Sequence, residues 1–200
     1  DNRYTALVHP DVLATGLRYR NAENSATYAK NGDSIFRLLD VMSRTSRFRD
    51  MILSDYVNQI DEEEEKQFSA ITINLGDGSY YIAYRGTDDT IVGWKEDFNM
   101  SFLSETPGQL KAVAYLENVA EHTDARLRLM GHSKGGNLAV YAAIHANCGI
   151  SRKIDIIYSN DGPGFTESMI DLESYRNILP RIHTIIPESS IVGMLFQHEE

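Results

Sequence analysis

The residues best suited to chemistry fall in one short run, Gly131-His132-Ser133-Lys134-Gly135-Gly136. A strand is expected before it over 126–131, and a helix after it over 134–147. A serine hydroxyl becomes a useful nucleophile only when it is exposed and a base can take its proton. A sharp turn from strand into helix exposes it. That turn also presses the positions two before and two after the serine against neighbouring backbone. Gly131 and Gly135 carry no side chain there, and Gly136 adds slack. The pattern is G-x-S-x-G, the nucleophile elbow. The amino end of the following helix would favour negative charge developing beside Ser133. A phosphate cradle of the G-x-x-x-x-G-K-[ST] type is absent. The oxyanion formed by attack on a carbonyl needs two N–H donors. The N–H of Lys134, directly after the nucleophile, is expected to be one, and a loop following an earlier strand should supply the other. The Lys134 ammonium is expected either to face an anionic head group or to stand in solvent.

The elements that must position this turn are legible along the chain. Ser34 to Phe48 has apolar residues at helical spacing (Ile35, Leu38, Leu39, Met42). The run Asp61 to Glu65 is expected to be a solvated loop. "FSAITINL" and "SYYIAYRG" flank Gly76-Asp77-Gly78 as the arms of a hairpin. Thr106-Pro107 signals an N-cap and a first helical position, opening a helix that runs to about His122. Strands over 126–131, 154–159 and 181–186 then alternate with helices over 134–147 and about 165–178. Strands as continuously apolar as "IDIIYS" are expected to be covered on both faces. The fold class is therefore α/β: a mainly parallel sheet between helical layers, with an antiparallel hairpin early in the sheet. In such sheets sites form at the carboxyl ends of strands, where Ser133 falls.

Two hundred residues with 42% hydrophobic and 24% charged content suit one soluble domain with a sizeable core. A net charge of −10 disfavours a nucleic-acid partner. The single cysteine, Cys148, excludes an internal disulfide and fits a reducing, cytoplasmic compartment. No apolar run approaches the roughly 20 residues needed to span a bilayer. Residues 1–200 are expected to form a single domain lacking residues at one or both ends, since the chain opens on Asp1-Asn2-Arg3.

Three segments together carry a resemblance. Arg85-Gly86-Thr87 at a strand end, Trp94 to Asp97 shortly after, and Gly131 to Gly136 resemble the class 3 (fungal-type) lipases. The whole chain is still more similar to a bacterial family of lipase-like α/β hydrolases. That family shares "SNDGPGF" (159–165) and "PESSIVGML" (187–195), and the resemblance covers roughly residues 67–197. It implies an α/β-hydrolase fold and ester hydrolysis. It also implies that Thr87 occupies the second oxyanion position, and that Trp94 and Asp97 are structural, a loop anchor and a buried carboxylate partner.

In this fold the triad follows the order serine, acid, histidine. Two carboxylates stand at later strand ends. Asp161 precedes Gly162-Pro163-Gly164, a tight turn similar to the one bearing the acid in pancreatic-type lipases, and it is preferred. Glu188 follows "RIHTIIP", where class 3 lipases carry an aspartate. Five of the six histidines are poorly placed. His132 alternates away from Ser133, and His145 is about 18 Å along the following helix at 1.5 Å per residue. His122 closes the preceding helix, His183 is mid-strand and His9 is far upstream. The base is then His198 or a histidine beyond residue 200. The apolar stretch 191–196 would line or cover an acyl pocket, or belong to the core. The expected chemistry is hydrolysis of a small, lipid-like ester through an acyl-serine, with no cofactor. The alternative is a lipase-like scaffold that binds an acyl ligand or a protein without turnover.

Overall fold

The structure, a computed structural model, describes residues 32–87, 92, 93, 95 and 105–190. A helix, α1 (Gly32–Arg44), precedes three strands, β1 (Ile52–Asp61), β2 (Lys66–Asn74) and β3 (Ser79–Tyr84). Then come α2 (Pro107–Glu121), β4 (Arg126–His132), α3 (Lys134–His145), α4 (Cys148–Lys153) and β5 (Ile154–Asn160). Two short helices, α5 (Glu167–Ile170) and α6 (Glu173–Ile178), lead through a 3₁₀ turn to β6 (Ile182–Ile185). The six strands lie in sequence order, with β1, β2 and β3 antiparallel and β3 to β6 parallel. This is the α/β sheet with an early hairpin that the pattern implied.

Strand order explains where the helices go. Each parallel crossover steps to the next strand in the same direction, and crossovers of one hand then place their helices on one face. Accordingly α2 packs on β2 and α3, while α3 packs on β3, β4, β5 and α6. Of the two helical layers expected, the described residues form this one. Its side of the sheet supplies the core. Leu127 and Leu129 of β4, Ile82 of β3 and Ile157 of β5 are fully buried against Leu116, Leu138 and Ala142. On the opposite face Arg128 and Met130 are only half-buried and His132 is exposed.

Two elements differ from expectation. β1 was not legible. Its sequence, "ILSDYVNQID", mixes polar and apolar residues, and a register shift between Ser54 and Val57 breaks the alternation. Asp55 sits in that bulge at φ 53°, its carbonyl accepting from the Tyr115 hydroxyl at 2.9 Å. The acidic run expected as a loop is the turn of the β1–β2 hairpin, with Asp61 already paired to Lys66 at the end of the ladder. The single helix expected over about 165–178 is broken into α5 and α6 at Asp171-Leu172. The N-cap reading holds: Thr106 accepts from the Gln109 N–H, and the Gln109 side chain bonds back to the Thr106 N–H, a full capping box. At its other end α2 is closed by the Lys153 ammonium, which donates to the Ala120 and Thr123 carbonyls at 3.0 and 2.8 Å.

Leu129→Ala removes a fully buried side chain from the centre of this layer. It should lower the free energy of unfolding by about 2–5 kcal/mol, read as a reduced urea midpoint with an unchanged slope.

Candidate active site

Ser133 stands between the last residue of β4 and the first of α3, at φ 55° and ψ −129°. A non-glycine residue rarely adopts that conformation, which costs on the order of 1–3 kcal/mol. It persists because the backbone on both sides is fixed. The Ser133 N–H donates to the Asn160 carbonyl of β5 at 2.9 Å, and the Ser133 carbonyl accepts from the Gly136 N–H at 2.8 Å. The hydroxyl caps nothing in the helix. The side chain is neither buried nor fully exposed.

The two flanking glycines are required by contact rather than by φ. A Cβ on Gly131 would lie 2.0 Å from the Gly135 carbonyl carbon. A Cβ on Gly135 would lie 2.3 Å from the Tyr84 carbonyl oxygen at the end of β3. Gly136 is no reserve of slack, since a Cβ there would meet Ser159 Oγ at 2.8 Å. The same crowding brings in the Arg85-Gly86-Thr87 turn. A Cβ on Gly86 would be 2.6 Å from the His132 carbonyl oxygen and 3.5 Å from Ser133 Cβ. The turn that carries Thr87 therefore lies against the elbow that carries Ser133 and Lys134.

Parallel pairing sets the next neighbour. Gly131 pairs with Ser159 and His132 with Asn160, so Ser133 and Asp161 follow adjacent, aligned strand ends. Asp161 is also left-handed, at φ 53°, a conformation aspartate tolerates better than most residues. Its N–H donates to the Ile185 carbonyl at 2.7 Å, and its carboxylate accepts from the Ser190 hydroxyl. The segment after β6, which contains Glu188, thus folds back onto Asp161. Glu188 itself is exposed in a turn closed by the Ser190 N–H to the Pro187 carbonyl, 3.0 Å.

The histidines in the described residues lie away from this junction or face elsewhere. His132 shares a face of β4 with Arg128 and Met130. His122 donates through Nδ1 to the Asn118 carbonyl at the end of α2, 2.6 Å. His145, at the far end of α3, stacks on Tyr141 with centroids 4.3 Å apart. Burial pulls the His145 pKa down, against the opposite pull of Glu105. His183 is exposed on β6 and packs against Tyr158. His9, His198, Trp94, Asp97 and the stretch 191–196 lie outside the described residues.

The Lys134 side chain departs from both expectations. It is only 2% exposed, and its ammonium donates to the Gln67 carbonyl at 2.8 Å and to Gln67 Oε1 at 2.6 Å. It neither stands in solvent nor faces a head group. A burial this complete is not legible from a lysine at a helix start.

A second residue was missed altogether. Asn137, 2% exposed, donates to the Pro163 and Gly164 carbonyls (3.1 and 3.2 Å) and accepts from Gln109 Nε2 (2.8 Å). It ties the elbow helix to the turn after Asp161 and to the capping box of α2. Its only sequence signal was an asparagine on the buried side of an apolar helix. A groove of about 750 Å³, lined among others by Val57, Phe68, Tyr80 and Tyr115, lies between the hairpin strands and α2 and includes neither Ser133 nor Asp161. Among the described residues no cluster of histidine, cysteine or acidic side chains could hold a metal ion, and no helix is long and apolar enough to cross a membrane.

This geometry belongs to a known class. The sheet, its helical layer and the strand–serine–helix turn form an α/β-hydrolase fold of lipase type. The chain is similar to a fungal lipase solved in complex with an inhibitor, a structure that gave a model for interfacial activation in lipases. The TM-score is 0.51 at 13% identity, over 90% of this chain and 73% of that one. It is also similar to M37 lipase, with a TM-score of 0.53 at 18% identity. That likeness covers 82% of this chain but only 61% of M37 lipase, so this chain spans about three fifths of that protein. No curated protein matches the sequence. The sequence pattern of the Mbeg1-like family matches residues 42–200, and the chain belongs to that family.

Gly135→Ala should abolish folding or lower stability by several kcal/mol, because the Tyr84 carbonyl is backbone and cannot swing aside. Asn137→Ala should cost about 1–3 kcal/mol by stranding Gln109 and two loop carbonyls. Chemical denaturation of the two variants beside wild type checks both.

Proposed function

We propose that this protein is a serine hydrolase that cleaves carboxylic, lipid-like acyl esters through an acyl-serine intermediate. The observation that carries the reading is the Ser133 backbone, held in a strained left-handed turn above the sheet with its hydroxyl bonded to nothing in its helix. A serine needed only for structure would gain nothing from that conformation. Ser133 Oγ attacks the ester carbonyl while an imidazole takes its proton. The alcohol leaves with that proton, and water then hydrolyses the acyl-serine by the same route in reverse. The N–H groups of Lys134 and Thr87 receive the oxyanion, a role supported by the packing of the Gly86 turn on the elbow. Asp161 is the acid that orients the imidazole. Its alignment with Ser133 across β4 and β5, and the Ser190 hydroxyl on its carboxylate, favour it over the exposed Glu188. His198, or a histidine beyond residue 200, supplies the base. Acyl transfer of this kind needs no metal or organic cofactor, and the lone cysteine, Cys148, fits a cytoplasmic setting.

A specific observation favours one rival, a lipase-like scaffold that binds acyl groups or a protein without turnover. Among the described residues, the rings of His122, His145 and His183 contact Asn118, Tyr141 and Tyr158, and His132 is exposed on the face of β4 that carries Arg128 and Met130. A fluorophosphonate separates the two. It should label the full-length protein at Ser133 and leave Ser133→Ala unlabelled. Asp161→Asn should lower ester turnover by about 10³–10⁴-fold, by analogy with loss of a triad carboxylate, and Glu188→Gln by far less. Absence of labelling in the full-length protein would favour the scaffold.

A further inference from the structure

The buried Lys134 ammonium has no role in the mechanism above, yet its position is specific. β2 and β3 pair antiparallel with Ala70 opposite Tyr84, and the ladder continues one step further through the Arg85 N–H to the Ser69 carbonyl, 2.9 Å. In an antiparallel ladder every second residue repeats that bonded arrangement. The next acceptor facing β3 is therefore the Gln67 carbonyl, and the residue opposite it in register is Thr87. At that acceptor the structure places Lys134 Nζ, at 2.8 Å, with a second bond to Gln67 Oε1 at 2.6 Å. Gln67 is fully buried and Lys134 nearly so, which makes this an interior contact and not a surface one. A carbonyl that accepts from a buried ammonium is a strong, charge-assisted partner.

We infer that Lys134 is a positioning residue for the oxyanion site. Its ammonium holds the strand acceptor that would otherwise extend the β2–β3 ladder to Thr87, so the chain leaves the sheet at Gly86 and lies against Ser133. One residue thereby serves both halves of the site: its backbone N–H is the first proposed oxyanion donor, and its side chain sets the path of the turn that carries the second. The close approach of Gly86 to the His132 carbonyl, where a Cβ would fall at 2.6 Å, is the consequence seen at the elbow. This inference rests on the hydrolase reading and adds to it a residue that touches no substrate.

The test uses the full-length protein, with phosphonylation of Ser133 by a fluorophosphonate and turnover of p-nitrophenyl butyrate as readouts. Lys134→Met removes the ammonium and keeps the backbone N–H. It should slow both reactions by up to about 10²–10³-fold, the range for loss of one oxyanion donor, through kcat with KM little changed. Gln67→Glu keeps both acceptors and should retain a rate within roughly tenfold of wild type, which loss of packing alone would not predict. If Lys134→Met does not fold, Lys134→Gln takes its place, its neutral amide one bond too short to hold the same acceptor, and should slow labelling in a protein whose circular dichroism is native. A folded Lys134→Met or Lys134→Gln variant that reacts as fast as wild type overturns the inference and leaves the hydrolase reading standing. A wild-type protein that neither labels nor turns over removes both.

Discussion

Four strands of backbone meet at one point in this molecule, and nearly everything else follows from how closely they do so. The end of β4, the start of α3, the end of β3 and the turn at Gly86 approach within distances that no Cβ could share. Steric exclusion at this scale is not graded. A methyl group 2.0–2.6 Å from backbone atoms cannot be absorbed by a rotamer change, so Gly131, Gly135 and Gly86 are fixed together. Their closeness forces the chain into a left-handed turn at Ser133, whose strain is offset by the packed layer beneath. Leu138, Ala139 and Tyr141 of α3 are buried, and the packing of α3 on β4 and β5 holds the helix in place while the residue before it is bent.

Polar groups complete what packing begins. A helix pressed on a sheet by apolar contacts alone could slide by small amounts, but buried hydrogen bonds have fixed length and direction. Asn137 reaches the turn beyond Asp161 and the cap of α2. Lys134 reaches β2. Asp161 is held by Ile185 and Ser190. These contacts radiate from the first turn of α3 and the end of β5 to four other parts of the fold, so the relation of Ser133 to its neighbours is set by the whole domain. Leaving the buried Asn137 or Lys134 without its partners would be expensive.

What was legible in the sequence follows from the range of the forces involved. The elbow could be read because glycine spacing around a serine reports a local steric demand. The α2 cap could be read because Thr106, Pro107 and Gln109 act within a single turn. Strand β5 could be read because the apolar run in "IDIIYS" reports burial. β1 could not, because a bulge at Asp55 and polar residues on an edge strand erase the period-two signal. The fate of Lys134 was invisible for a different reason. Its partner, Gln67, is 67 positions away and becomes a neighbour only when β2 has folded beside β3. Asn137 and Ser190 are of the same kind. Glycines and caps speak locally, whereas buried polar pairs depend on the finished topology. The expected base, His198, and the expected anchors, Trp94 and Asp97, lie outside the described residues.

Hydrolysis at this site requires the strained serine to present its hydroxyl beside a pair of backbone donors. The most direct measurement is a crystal structure of the protein after reaction with a fluorophosphonate. Phosphorus bonded to Ser133 Oγ, with one phosphoryl oxygen within about 2.7–3.1 Å of the Lys134 and Thr87 amide nitrogens, is the predicted result. An unmodified Ser133, or a Ser133 with ordinary helical φ and a phosphoryl oxygen turned away from both amides, would contradict it.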